Sequence, residues 1–171
     1  MIKKTVFLLS ILAVLLLGST IATADGGGNT IVYPEKNPIF SVTFPNDWST
    51  ETDENLLHAT PKDESVYLGI WALEEAGDLD AALEAVDEVV SSLVKNLKVD
   101  EADSMVVNGI HFITVDGTGR DEEGDNVNVS AALFSPDEKQ IFIMLYYATP
   151  EAEKLHEDEL VAILKSINGE K

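Results

Sequence analysis

The most regular amphipathic stretch of the chain is Leu79–Leu97. Its apolar residues Leu79, Leu83, Val86, Val90, Leu93 and Leu97 recur in steps of four and three, which puts them on one side of a helix. Ala82, Val89 and Val94 widen that stripe, and Asp80, Glu84, Asp87, Glu88, Ser91, Ser92, Lys95 and Asn96 occupy most of the remaining circumference. The spacing predicts one helix over Leu79–Leu97, capped by Asp78. Asp80 and Glu84 suit the positive end of its dipole, and Lys95 and Lys98 the negative end. A helix with one apolar stripe needs an apolar surface to lie on.

The other segments alternate as strands do. Phe40, Val42 and Phe44 alternate with Ser41 and Thr43, which predicts a half-buried strand ended by Pro45 and turned by Asn46-Asp47 before Trp48. Leu56–Thr60 is a short second strand. Val66–Leu73 is apolar on both faces and reads as an interior strand, with Gly69 leaving room for a close approach. Met105–Val107 and Ile110–Val115 flank Asn108-Gly109, a strong hairpin signal because both residues tolerate positive φ. Asp116–Asn126, with Gly117, Gly119 and Gly124, reads as an acidic hairpin loop or two ragged strand ends. Val127–Leu133 and Ile141–Tyr147 are two further strands. Thr149-Pro150-Glu151 opens a last helix whose buried stripe is Leu155, Leu160, Ile163, Leu164 and Ile167, and Asn168-Gly169 ends it. The resulting fold class is α+β: a mostly antiparallel β-sheet with a long central helix and a C-terminal helix packed on it.

Composition changes the picture at the start of the chain. Lys3 and Lys4, the apolar run Val6–Leu17 and the small-x-small site Ala22-Thr23-Ala24 have the three-part pattern of a secretory signal peptide cut before Asp25. The apolar run is shorter than the ~20 residues a membrane span needs. The expected organisation is therefore residues 1–24 as signal peptide, 25–38 as a flexible lead-in containing Gly26-Gly27-Gly28, and 39–171 as one α+β domain. This implies a secreted or periplasmic protein with no stable membrane insertion after cleavage. With no cysteine, the chain has no disulfide, no lipid-carrying cysteine and no thiol chemistry. Removing Lys3 and Lys4 leaves nine Lys and Arg against 31 Asp and Glu, a net charge of about −22. Such a surface repels nucleic acid and anionic lipid; charge alone favours reading it as a solvated coat over an attraction for cations or a basic partner.

The run Phe40-Ser41-Val42-Thr43-Phe44-Pro45-Asn46-Asp47-Trp48 resembles the opening signature of the PsbP-like (Mog/PsbP-like) superfamily: an aromatic strand, a proline, two polar residues and a tryptophan. The order of segments from Ile39 to Ile167 is similar to that superfamily as well. The resemblance implies a PsbP-like fold and an accessory or protein-binding role without catalysis. It names no partner and transfers no ligand residue to a numbered position. Plant members dock partly through basic residues, and this acidic chain departs from that pattern.

Local chemistry is sparse. His58, His111 and His156 lack a metal-ligand neighbour at i+2 or i+4, and there is no nucleophile elbow, P-loop or dinucleotide fingerprint. The best local candidate is the acidic turn Asp121-Glu122-Glu123-Gly124-Asp125-Asn126. There Asp121, Glu123 and Asp125 could offer oxygen ligands to calcium, although the spacing fails the EF-hand pattern. Trp48 and Trp71 are expected in the core. The expected function is an exported, non-catalytic, protein-binding or accessory module with no cofactor. The alternatives are a weak calcium-binding domain and, further off, an unrecognised hydrolase needing two acids across an apolar cleft.

Overall fold

The computed structural model describes residues 28–53, 55–73 and 79–170. The expected signal peptide, the Asp78 cap and the loop at 74–77 lie outside them.

Among the described residues, eleven strands and two helices follow one another. They are β1 (Asn29–Tyr33), β2 (Phe40–Phe44), β3 (Ser49–Asp53), β4 (Leu56–Thr60), β5 (Val66–Ala72), α1 (Leu79–Leu93), β6 (Lys95–Val99), β7 (Asp103–Val107), β8 (Ile110–Arg120), β9 (Asn126–Phe134), β10 (Phe142–Ala148), α2 (Pro150–Ser166) and β11 (Asn168–Gly169). An eight-stranded sheet runs β3-β4-β5-β10-β9-β8-β6, with β7 also paired to β8. A smaller sheet runs β1-β2-β11. Every pairing is antiparallel. The architecture is the α+β arrangement of a mostly antiparallel sheet with two helices.

The large sheet separates two apolar clusters, as the period of two in its central strands requires. One side joins Phe112, Phe134, Phe142, Leu68 and Ile70 to Tyr33, Phe40, Phe44 and Trp48 of the first fifty residues, and to Leu160, Ile163 and Ile167 at the C-terminal end. Phe40 meets Phe134 and Phe142 edge-on, with ring centroids 5.3 and 5.0 Å apart. The other side joins Ala82, Val86, Val90 and Val94 to Val127, Val129, Ala131, Leu133, Ile143 and Leu145.

Helix α1 stops at Leu93, four residues before the expected end. Val94 still donates to the Val90 carbonyl at 2.9 Å, but Asn96 takes a left-handed φ of 53° and the chain continues as β6. Lys95, Leu97 and Val99 alternate as well as they fit a helical turn, and pairing with β8 decides between the two. Lys95 and Lys98 therefore belong to an edge strand and not to the negative end of a helix. Of the two readings of Asp116–Asn126, the strand ends hold: β8 runs on through Gly117 and Gly119 to Arg120, and β9 starts at Asn126. A Cβ at Gly119 would lie 2.2 Å from Val94 Cγ1 and 2.8 Å from the Lys95 carbonyl, so the missing side chain admits the α1–β6 junction.

Residues 29–33, inside the expected lead-in, form β1 because β2 supplies them a pairing partner. Leu155, expected in the buried stripe of α2, is 71% exposed, while Leu160, Ile163 and Ile167 are buried. The cap of α2 is as expected: the Thr149 side chain accepts from the Ala152 amide, with Pro150 in the first turn. Asn108 and Gly109 have φ of 50° and 82° and make the predicted hairpin.

Candidate functional site

The two faces of the large sheet are covered differently, and the difference starts with side-chain size. Helix α1 meets the sheet through Ala82, Val86 and Val90, which face Val129, Ala131 and Gly117. Short residues meet short residues, so the helix leaves space along both flanks.

On one flank lies an open trough of about 650 Å³. Its wall on α1 is Val89, Ser92 and Leu93. Its floor is Leu56, Tyr67, Trp71, Leu145 and Tyr147, and Asp53 and Asn55 stand at the rim. Register explains the grouping. Tyr67 of β5 pairs with Tyr147 of β10, and Leu56 of β4 pairs with Trp71 of β5. The rings of His58 and Tyr67 stack at 4.7 Å, and those of Tyr67 and Tyr147 at 5.5 Å. Gly69 supplies the space between them: the position of its absent Cβ is 3.3 Å from each of Leu56 Cδ1, Trp71 Cζ3 and Tyr67 Cε1. Burial raises the Tyr67 phenol above its ordinary value, with the Tyr147 phenol adding to the shift, so at neutral pH its edge is a hydroxyl that donates or accepts. Trp71, expected as core, is half-buried here.

On the other flank is a smaller cavity of about 260 Å³. Leu83, Val86 and Val90 of α1 wall it on one side, Leu97 and Val99 of β6 on another, and Val115, Gly117, Val129 and Ala131 form its floor. Asp87 and Asp100 are its exposed polar residues.

The α2 face is knitted by polar bonds. Asp116, Ser130 and Tyr146 lie side by side in register across β8, β9 and β10. Glu153 of α2 comes down on this row. Tyr146 Oη donates to Glu153 Oε1 at 2.7 Å, and Asn128 Nδ2 donates to Glu153 Oε2. Burial, the neighbouring Glu153 charge and the hydrogen bond to it push the Tyr146 phenol well up. Burial raises the Asp116 carboxyl; the Ser130 hydrogen bond works against that rise, and the charges of Glu153, Asp100 and Asp103 add to it. A void of about 50 Å³ is enclosed there, and the Thr114 hydroxyl on its wall is buried with no hydrogen-bond partner among the described residues. The arrangement places two carboxylates near one another, each held by a neighbouring hydroxyl.

A second polar knot sits at Trp48. The indole N–H donates to Glu159 Oε2 at 3.0 Å, His156 Nδ1 meets the same oxygen at 2.6 Å, and His156 Nε2 faces Asp63 Oδ2 at 3.2 Å. Burial works to lower the His156 pKa, but the hydrogen bonds and charges of Glu159 and Asp63 outweigh it and raise the value. His156 thus ties α2 to the turn after β4. His58 stacks in the aromatic row and His111 is exposed, so the three histidines lie in three separate places.

The acidic turn closes on itself. Asp121 Oδ1 accepts from the Gly124 and Asp125 amides at 2.8 and 2.9 Å, and Arg120 donates to the Gly124 carbonyl at 2.7 Å. Asp121 thereby serves its own turn, and Glu123 and Asp125 are exposed. Among the described residues, no group of three or more His, Cys, Asp or Glu is placed to hold a metal ion. Sequence reasoning missed the aromatic trough. Its signal was the coincidence of Tyr67, Trp71 and Tyr147 on outward phases of two apolar strands, which becomes meaningful only with the β5–β10 register.

The sequence matches no protein-family profile and no curated protein. Solved structures do match. The solution structure of cyanobacterial PsbP (CyanoP) from Synechocystis sp. PCC 6803 superposes with a TM-score of 0.62 at 10% identity, covering 90% of this chain and 99% of that one. The crystal structure of LpqN, involved in cell envelope biogenesis of Mycobacterium tuberculosis, superposes with a TM-score of 0.57 at 13% identity, covering 84% and 91%. The chain has a PsbP-like fold. Among the described residues no helix is long and apolar enough to cross a membrane.

Proposed function

We propose that the chain is an exported, non-catalytic accessory module that binds a protein partner at the cell envelope or outside the cell, and that the trough beside α1 receives that partner. The observation that carries this reading is the open aromatic row Tyr67, Tyr147 and Trp71 under Leu93, which is 39% exposed. Tyr and Trp in a partly open, apolar recess are the residues that dominate interface energetics. Asp53 at the rim and the net charge of −20 favour a partner segment that is apolar with flanking Lys or Arg. The fold shared with LpqN agrees with work at the envelope, and the Lys3–Ala24 pattern with export. Asp63 and His156 are engaged in holding α2, and Asp116 is bonded to Ser130 within the sheet, which favours a structural use for them over a catalytic one.

The test is recovery of partners by the tagged protein from the source organism's envelope and medium, at low and high salt and with and without calcium. Tyr147→Ala and Trp71→Ala variants are run in parallel. A recurring partner whose recovery falls about tenfold with either variant, and falls again at high salt, supports the reading. Equal recovery by wild type and both variants overturns the trough as the docking site. N-terminal sequencing of the exported form should begin at Asp25; an intact Met1 on all material overturns export through a cleaved signal.

A further inference from the structure

The smaller cavity on the opposite flank of α1 has a different character from the trough. It is bounded almost wholly by aliphatic carbon, and its volume of about 260 Å³ exceeds by several fold the ~30 Å³ that one water occupies. The recess opens to solvent beside Val99, which is 52% exposed, so a guest can enter it and release water from its aliphatic walls. A concave recess walled by Leu, Val and Ala suits an apolar guest. Ala131 contributes only one methyl to the floor, while the room over Gly117 is taken by the Lys98 carbonyl and Leu97 Cδ1, 3.0 and 3.1 Å from where its Cβ would be. Its polar side is acidic. Asp87 of α1 and Asp100 after β6 line it and are exposed, Asp116 lines it half-buried, and the chain as a whole carries a net charge of −20. That field repels a carboxylate or phosphate head and attracts an ammonium.

We infer that this cavity binds a small amphiphile made of a short hydrocarbon body and a protonated amine, with the hydrocarbon between α1 and the sheet and the ammonium between Asp87 and Asp100. The inference does not depend on the trough being a partner site, since the two lie on opposite flanks of the helix.

The probes are octylamine, octanol and octanoate, each titrated calorimetrically into the full-length chain and each used to displace the neutral fluorophore N-phenyl-1-naphthylamine. The expected result is one octylamine per chain, bound at least about tenfold more tightly than octanoate, with octanol between them. The double variant D87N/D100N leaves the aliphatic walls intact and should reduce octylamine to the level of octanol. Ala131→Leu fills the floor and should abolish binding of all three, with cooperative thermal unfolding confirming that the variant is folded. Tyr147→Ala, in the trough, should leave octylamine binding unchanged. Octanoate binding as tightly as octylamine overturns the inference, as does octylamine affinity that survives D87N/D100N. Binding that survives in a folded Ala131→Leu places the ligand elsewhere, and absence of heat and of displacement with all three probes also refutes it.

Discussion

Trp48 and Glu159 are 111 positions apart in the chain and joined at 3.0 Å, the indole N–H donating to a carboxylate oxygen that also faces His156. The tryptophan that closes the aromatic-strand signature is thus fastened to the last helix. Removing the acceptor leaves a buried donor unpaired. Glu159→Ala should lower unfolding stability by about 1 kcal/mol, the lower part of the range for charged hydrogen bonds, because the Glu159 side chain is 35% exposed. Chemical denaturation at neutral pH measures it, and an unchanged midpoint would show that the bond contributes nothing net.

The same knot makes stability depend on pH. His156 has a folded pKa raised above 6.5, so its charged form stabilises the fold fully below that value, and the contribution is lost as pH rises through the folded pKa. The Ser65 hydrogen bond, with that of His156, holds the Asp63 carboxyl below its ordinary value, so Asp63 stays ionised there. His156→Gln should therefore be less stable than wild type near pH 6, with the gap narrowing by about pH 9. A constant gap across that range would mean that His156 acts by packing against Trp48 alone.

Asp116 acts in the same direction, on the acid side. Its folded carboxyl holds its proton more tightly than the unfolded one, so stability falls as pH rises from 3.8 through the raised value. The ionised group is then half-buried near Glu153, Asp100 and Asp103. Asp116→Asn should melt at a higher temperature than wild type at neutral pH, and the two melting temperatures should converge toward about pH 4. A variant less stable than wild type at pH 7 would show that the Ser130 hydrogen bond outweighs the desolvation.

The Thr114 hydroxyl is buried without a partner among the described residues, which costs the fold its lost hydration. Thr114→Val keeps the branched shape and removes the polar atom. It should be neutral or stabilising by up to about 1 kcal/mol in denaturant unfolding. Destabilisation would indicate a water bound in the adjoining void.

Gly119 and Gly109 differ in what a side chain would meet. Gly119→Ala would drive a methyl into Val94 and the Lys95 carbonyl, and should cost about 1–3 kcal/mol while loosening β6. Gly109→Ala meets open space and is opposed only by its φ of 82°, so it should cost about 1 kcal/mol. Comparing the two unfolding midpoints separates crowding from backbone strain.

The elements readable from the residues were those decided locally. Phe40–Phe44, Val66–Ala72 and the run around Ile143 alternate by themselves, Asn108-Gly109 turns by itself, and Thr149 caps by itself. The elements that were missed depend on a distant partner. Residues 29–33 are polar enough to read as a lead-in until β2 pairs with them. Residues 95–99 carry an apolar spacing that fits helix and strand equally. The extension of β8 through glycines makes sense only once α1 is seen to need the room. The site was less legible still, because it is defined by which half of a sheet face a helix of short side chains leaves bare.

Strand β2 has its neighbours from the two ends of the described chain: β1 on one side and β11 on the other, with the Glu170 amide bonded to the Ile39 carbonyl at 2.8 Å and the Thr43 amide to the Ser166 hydroxyl at 2.7 Å. Synthesis runs from one end only. Phe40, Phe44 and Trp48 emerge early, and the helix and strand that cover them emerge last. Contacts that span so much of the chain form slowly. This side of the core therefore lacks its cover until the last helix and strand are made, and until then its oldest aromatic residues are without the contacts that bury them in the finished fold.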